Sequence, residues 1–511
     1  MRTLLKSLAF VAALCGATFS FAASPAEVVT VESGALRGKI SKGVVSFKGV
    51  PFAAPPLGAL RWKAPEPALS WSGIRDAKAF SAACMQQPSD NGPGTAVKKV
   101  SEDCLTLSVW TPAKRSAPLP VMVWIHGGGH RTGASAIGYY DGTSFAENGV
   151  ILVSIQYRLG ALGYFAHPAL TAEADASAPL GNYGHLDQIA ALSWVQRNIA
   201  QFGGDPANVT VFGESAGGAS ILYLLGSPRA KGLFAKAVVQ SGGGWPNPMD
   251  LGKAEQSGAM IASALGLPGA QASADQLRGL SAAALISPAA APPSIGFGPF
   301  LDGRAIIKTP LDSIQAGEAA AIPLIIGANS NEGSLMTSYG VPPSQILGQV
   351  GPFMDEIRGV YSDATTDGEL ARQLYGDASF VAPARSIARA ASKTAPTWLY
   401  HFSYLPNLQR GREPGASHAL EIPFVFNTLS KVPFAPVLIT AEDRAQAALM
   451  HACWVAFAKD GMPDCGGVKW PAVSDSRDEL LEFGLQNAVR SEFRKPKLDL
   501  NEQIRAKRLD R

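Results

Sequence analysis

Between residues 120 and 245, short apolar runs of β character alternate with a segment of helical spacing, and few architectures satisfy that order. Residues 121–125 (VMVWI), 150–157 (VILVSIQY), 209–212 (VTVF) and 237–240 (AVVQ) read as strands, and 187–199 (DQIAALSWVQRNI) reads as an amphipathic helix. Unbroken apolar strands are those covered on both faces, so the chain is predicted to form a mostly parallel sheet flanked by helices. Residues 105–110, 322–326 and 398–405 extend the series as further strands. Helical patches within 250–300 and 352–394 carry no strand-like runs and are expected as insertions that build the mouth of a pocket. Residues 28–52 alternate between glycines as a small antiparallel sheet at an edge would, and the charged, Pro-containing tail from Arg494 is expected to lie on the surface.

Within this series VTVFGESAGGA (residues 209–219) is a strand that turns abruptly into a helix. A GxSxG turn keeps Gly213 and Gly217 small because strand and helix pass in contact, and it drives Ser215 into a strained conformation with its hydroxyl presented. A second turn stands at the end of 121–125, where His126 is followed by Gly127, Gly128, Gly129 and His130. Three glycines after a buried strand let backbone N–H groups approach a ligand closely, as an oxyanion hole requires.

A serine nucleophile needs a base, and the chain holds seven histidines. His418 is singled out: it lies in a Gly-containing loop (PGASH) beyond the 398–405 strand, where a side chain reaches the carboxyl end of a parallel sheet. The carboxylate that orients the base is expected at Glu332, in a loop that follows the 322–326 strand; Asp302 competes, although its Asp-Gly pair marks a turn for backbone reasons alone. The order Ser215, Glu332, His418 is that of the α/β-hydrolases.

The first residues carry Arg2 and Lys6, an apolar run over 8–17 and a small-x-small site at Ser20–Ala22, the order of a secretory signal. Cleavage is expected after Ala22, which predicts a secreted or periplasmic protein; Leu14 before Cys15 is too bulky for lipoprotein processing. Loss of residues 1–22 removes two basic residues and leaves a net charge of +1, which argues against a nucleic-acid partner. No later stretch is long and apolar enough for a membrane span, and oligomeric state is not legible. Cys84, Cys104, Cys453 and Cys465 remain, an even number that favours two disulfides among three possible connectivities, with sequence-near pairing expected.

The longer blocks resemble the type-B carboxylesterases, which include cholinesterases and bacterial para-nitrobenzyl-type esterases. FGGDPANVTVFGESAGG (residues 202–218) is similar to that family's serine signature and EDCLTLSVWTP (102–112) to its cysteine-containing one; QYRLGALGYF, GNYGHLDQ and NSNEGS are similar to further blocks. The resemblance covers nearly all of the chain after the signal. It implies an α/β-hydrolase fold in a single domain over residues 23–511, with Ser215 as nucleophile, Glu332 as acid and His418 as base. It further implies an oxyanion hole of Gly128, Gly129 and Ala216, a Cys84–Cys104 disulfide, a small-molecule ester as substrate, and no metal or cofactor. Where the family commonly has an aromatic residue after the three glycines, this chain has His130 followed by Arg131, and where it commonly has leucine in GNYGxLDQ, this chain has His185. Cationic side chains there would favour an ester bearing carboxylates, of the tricarballylate or fumonisin type. The rival classes are a non-catalytic cholinesterase-like binding module and a lipase.

Overall fold

In the computed structural model the residues described are 27–509 apart from 89–96, 177, 246–248, 289, 291–294, 432–434 and 475–476. The expected signal segment, 1–22, lies outside them. Seven parallel strands form the centre of an eleven-stranded sheet: β1 (Leu119–Ile125), β2 (Ile151–Ile155), β3 (Gly204–Glu214), β4 (Lys236–Gln240), β5 (Leu324–Asn329), β6 (Thr397–Phe402) and β7 (Glu479–Phe483). Their spatial order is β7-β6-β5-β4-β3-β1-β2, and antiparallel strands, Thr106–Pro112 on one side and Ala488–Ser491 on the other, extend both edges.

The unbroken apolar character of these strands has a direct physical cause. Along β1, Val121, Val123 and Ile125 enter one core cluster while Met122 and Trp124 enter the other, because successive side chains point to opposite faces of the sheet. Helices α1 (Tyr183–Asn198) and α2 (Ala216–Leu225) cover the first face, and α3 (Ala441–Asp460) covers the second through Met450, Trp454 and Phe457. Strand β3 lies beside β1 while β2 lies on the other side of β1, so the chain reverses its direction of travel across the sheet at this point. A crevice opens outside the carboxyl ends of the strands at such a switch point. The turn after β1 and the turn after β3 both face it.

The segment after β2 is tied to α1 by Arg158 and Asp187, 4% and 0% exposed, with three Arg158 hydrogen bonds to the carboxylate at 2.8–2.9 Å. Both disulfides join the sequence-near cysteines, Cys84 with Cys104 and Cys453 with Cys465. Helices at Met354–Val360 and Asp367–Gly376 pack a small core of their own, with Ile357, Leu370 and Leu374, beside the carboxyl ends of the strands. Among the described residues no helix is long and apolar enough to cross a membrane.

One expectation needs correction, and another gains detail. Residues 28–52 do not form one sheet: Val28–Val31 and Gly34–Arg37 pair with Ile74–Asp76 in a separate three-stranded sheet, whereas Val44–Pro51 joins the main one. The charged tail, expected at the surface, forms helix α4 (Lys495–Leu509), which keeps its charges at least partly exposed and buries Leu498, Leu500 and Ile504. It is held by Arg385, 2% exposed, whose guanidinium bonds Asp499 (2.7 Å) and Asp478 (2.6 Å). Leu500 and Ile504, four residues apart, share one face and join the core of Ile357, Leu370 and Leu374, whereas Leu498 packs against Val381 and Ala382.

Candidate active site

At the end of β3, Ser215 has φ 55° and ψ −123°, a left-handed conformation costly for a residue with a Cβ. The surroundings leave it no alternative. Its N–H donates to the Gln240 carbonyl of β4 (2.8 Å), and helix α2 begins at the next residue. A Cβ at Gly217 would overlap the carbonyl oxygen of Ile125, so the first turn of α2 rests directly on the end of β1. Only glycine permits that approach.

The glycine run after β1 borders the same turn. A Cβ at Gly127 would fall 3.0 Å from Cβ of Ser215. Gly128 has φ 108°, outside the range of other residues, and its carbonyl accepts from the N–H groups of Arg131 and Thr132, which closes the loop. Among the described residues no hydrogen bond uses the N–H of Gly128, Gly129 or Ala216.

Glu332, 1% exposed, follows β5. Its Oε1 accepts from the Asn329 N–H (2.7 Å) and the Ser241 hydroxyl (2.5 Å), and its Oε2 meets Nδ1 of His418 at 2.5 Å. The backbone N–H of His418 donates to the Ser334 hydroxyl oxygen (3.0 Å), and the Phe380 ring lies 5.2 Å from the imidazole. Nε2 of His418 is 2.9 Å from Oε1 of Glu214, an ion-pair contact that falls short of hydrogen-bond alignment, and no hydrogen bond joins it to Ser215. The imidazole is thus bracketed by two carboxylates on the peptide that carries the serine and on the β5 loop. Burial works against its protonated form, but Glu214 and Glu332 together raise its pKa well above the ordinary histidine value.

Three participants escape a reading of the sequence. Glu214, inside the GESAG turn, carries no spacing signal that sets it apart from a filler residue. Glu421 stands three residues beyond His418, fully buried; Gln240 Nε2 (3.0 Å) and Asn329 Nδ2 (2.6 Å) donate to its two oxygens. Burial, helped by nearby Glu214, pushes its pKa up to about 7. Ser241, with φ 47°, is positioned by the QSGG block that continues β4.

Asp302 bonds the N–H groups of Arg304, Ala305 and Ile306 and so closes its own turn. His167 caps a short helix through the Ala169 N–H, and His451 bonds the Val425 carbonyl. The cationic rim expected from His130, Arg131 and His185 is reduced to one residue. His130 turns into the core, where Nε2 meets Ser220 Oγ at 3.0 Å, and burial lowers its pKa to about 3. His185, wholly buried, is lowered to about 4 by burial. Both are neutral, since a protonated imidazole loses more hydration there than it regains. Arg131 remains: half-buried, it donates to the Ile295 carbonyl and stacks 4.7 Å over Phe297. The Tyr339 hydroxyl stands by the same loop, 3.5 Å from where a Gly129 Cβ would be.

Known proteins share this arrangement of chain. Residues 25–501 match the carboxylesterase family. A para-nitrobenzyl esterase of Bacillus subtilis (strain 168) is 38% identical over 495 residues, covering 92% of this chain and 98% of its own. A fumonisin B1 esterase of Sphingopyxis macrogoltabida is 37% identical over 486 residues, covering 90% and 87%. A solved PNB esterase superposes with a TM-score of 0.82 at 35% identity, covering 93% of this chain and 99% of the other. With a match that runs almost from end to end and a sheet of the same build, the chain belongs to the carboxylesterase family and is a carboxylic ester hydrolase of α/β-hydrolase fold.

Proposed function

We propose that hydrolysis proceeds through an acyl-enzyme on Ser215, with His418 as general base and Glu332 as its orienting acid. The observation that carries this reading is the 2.5 Å bond between Glu332 and Nδ1 of His418, which turns Nε2 toward the Glu214–Ser215 turn. Ser215 Oγ attacks the ester carbonyl while Nε2 takes its proton, and the N–H groups of Gly128, Gly129 and Ala216 hold the oxyanion. His418 then protonates the departing alcohol and, in the second half, draws a proton from water to free the acid. For this Nε2 must leave Glu214 for Ser215; catalytic hydrogen bonds often tighten only in the complex with substrate. The test is covalent: an organophosphate should attach to Ser215, as peptide mass analysis would locate. A folded protein that takes no label would instead indicate a binding module.

The two carboxylates around His418 predict the pH profile. The base acts only when neutral, so kcat/KM rises with pH through the pKa of His418 in the free enzyme. Because that pKa is raised, the acidic limb should lie above the usual histidine range. Glu214→Gln removes one carboxylate and should move the limb to lower pH; a limb that stays in place would show that Glu214 does not act on the base.

Arg131 favours a second, narrower reading, that the substrate carries free carboxylates, as a tricarballylate ester does. Its guanidinium is held by Ile295 and Phe297 beside the oxyanion loop, where a charge-assisted bond to a substrate carboxylate is worth about 1.5–3 kcal/mol. Arg131→Ala should then raise KM for polycarboxylate esters by about tenfold to a hundredfold and leave neutral short-chain esters unchanged. Equal behaviour toward both classes would discard this reading. Export after cleavage at Ala22 is also proposed, supported by the two disulfides, which persist in oxidising compartments.

A further inference from the structure

The residue that replaces the usual aromatic after the glycine run is neither at the rim nor charged, and its surroundings suggest another role. His130 sits in the left-handed region with φ 55°, and its carbonyl accepts from the Gly160 N–H (2.7 Å). Its ring packs 4.9 Å from that of Tyr164, and Nε2 lies 3.0 Å from Ser220 Oγ. Ser220 is on α2, four residues beyond Ala216 and therefore on the same face one turn along. The same hydroxyl oxygen accepts from Nε2 of Gln188 on α1 (3.0 Å). Three elements meet in one buried polar knot: the glycine loop through His130, the helix that begins after the nucleophile through Ser220, and α1 through Gln188.

The knot matters because the oxyanion donors come from two separate pieces of chain. Gly128 and Gly129 belong to the loop after β1, Ala216 to the first turn of α2. The Gly128 carbonyl closes the loop on itself, and Gly127 and Gly217 bring it into backbone contact with the first turn of α2; His130 adds a directed hydrogen bond from the loop to that helix. A ring fixed at both its backbone and its far nitrogen makes that bond a restraint.

We propose that His130 is a positioning residue for the oxyanion hole, which through its hydrogen bond to Ser220 sets the Gly128 and Gly129 donors at a constant spacing from that of Ala216. The inference rests on the reading of these three N–H groups as the oxyanion hole. A donor displaced by a fraction of an ångström is weakened toward the developing charge but little changed toward a neutral carbonyl, so the effect should fall on kcat and not on KM.

The experiment compares the wild type with His130→Phe, which keeps a ring against Tyr164, and Ser220→Ala, which leaves the loop sequence intact. For each, kcat and KM on a neutral p-nitrophenyl ester are measured, with the affinity for an aryl trifluoromethyl ketone and for the matching methyl ketone. The fluorinated ketone accepts Ser215 Oγ at its carbonyl carbon, the π pair becoming the oxyanion and the serine proton passing to His418. Both variants should lose about tenfold to a hundredfold in kcat and the same factor in trifluoromethyl ketone affinity, with KM near wild type and kinetics read below each variant's own thermal midpoint, which the lost buried bond lowers. The double variant should be no worse than the poorer single one. Wild-type kcat and ketone affinity in both variants, or losses that multiply in the double variant, would overturn the role of His130. Failure of the oxyanion-hole reading looks different: the wild type itself would then bind the fluorinated ketone no better than the methyl ketone.

Discussion

Ser215→Ala should reduce kcat on a p-nitrophenyl ester by about 10⁵ to 10⁶ while the protein keeps its thermal midpoint and its circular dichroism. The size follows from the mechanism: without Oγ no acyl-enzyme forms, and His418 and the oxyanion donors retain only what they can do for direct attack by water, a residue of about 10³ to 10⁴ over the uncatalysed rate. The fold should be spared for an independent reason. Ser215 Oγ makes no hydrogen bond among the described residues, and the strained backbone at this position is imposed by the Gln240 carbonyl and by the contact of Gly217 with β1, neither of which the substitution touches. The variant should also lose the organophosphate label. Near-full activity in Ser215→Ala would place the nucleophile elsewhere.

Glu332→Gln should cost about 10⁴ in kcat, again with the fold retained. The carboxylate accepts at both oxygens: Oε1 from the Asn329 N–H and the Ser241 hydroxyl, Oε2 from Nδ1–H of His418. A carboxamide has one acceptor oxygen and one NH₂ group. With its oxygen kept toward Asn329 and Ser241, the NH₂ faces His418 and selects the tautomer with the proton on Nε2, which has no lone pair to take the serine proton. With the amide reversed, the NH₂ confronts the Asn329 donor and one buried bond is lost, a cost of about 1–3 kcal/mol. The first arrangement is the cheaper, so activity should fall much further than stability. Steady-state kinetics with a thermal melt of the same sample separate the two. A kcat within a factor of a few of wild type would show that Glu332 does not set the tautomer.

These two variants contrast with Glu214→Gln, which should move the pH profile and not abolish activity. Glu332 holds the imidazole by a hydrogen bond that decides which nitrogen is protonated, whereas Glu214 contacts the other nitrogen without hydrogen-bond alignment and acts through charge.

Much of this site is legible in residues 120–245 because two local regularities coincide there. Strands buried on both faces must be apolar at every position, and the turns that leave them at their carboxyl ends must be glycine where chains touch; VMVWIHGGG and VTVFGESAGG satisfy both conditions. His418 and Glu332 could be selected because each follows a strand in a loop, the place from which side chains reach the crevice. Strand β7 and its partner Ala488–Ser491 are not announced in this way, being short, partly exposed and charged at Glu479, Glu482 and Arg490. Helix α4 is equally hidden, since its apolar positions are outnumbered by charges and become meaningful only against Arg385 and the helical layer they dock on.

By itself the sequence determined the doubly covered parallel sheet, the family and the strained serine turn, because each is written in local periodicity, glycine placement or long shared blocks; for the disulfides it supplied an even cysteine count and an expectation of sequence-near pairing. Only the tertiary structure decided what the polar residues around that turn do. Glu214 and Glu421 become part of the site, and His130 becomes a neutral core residue, through contacts between segments far apart in sequence: His130 with Ser220, Glu214 with His418, Glu421 with Gln240. The charge state of a buried group depends on the water it has lost and the dipoles it has gained, and both are properties of the packed chain rather than of any stretch of it.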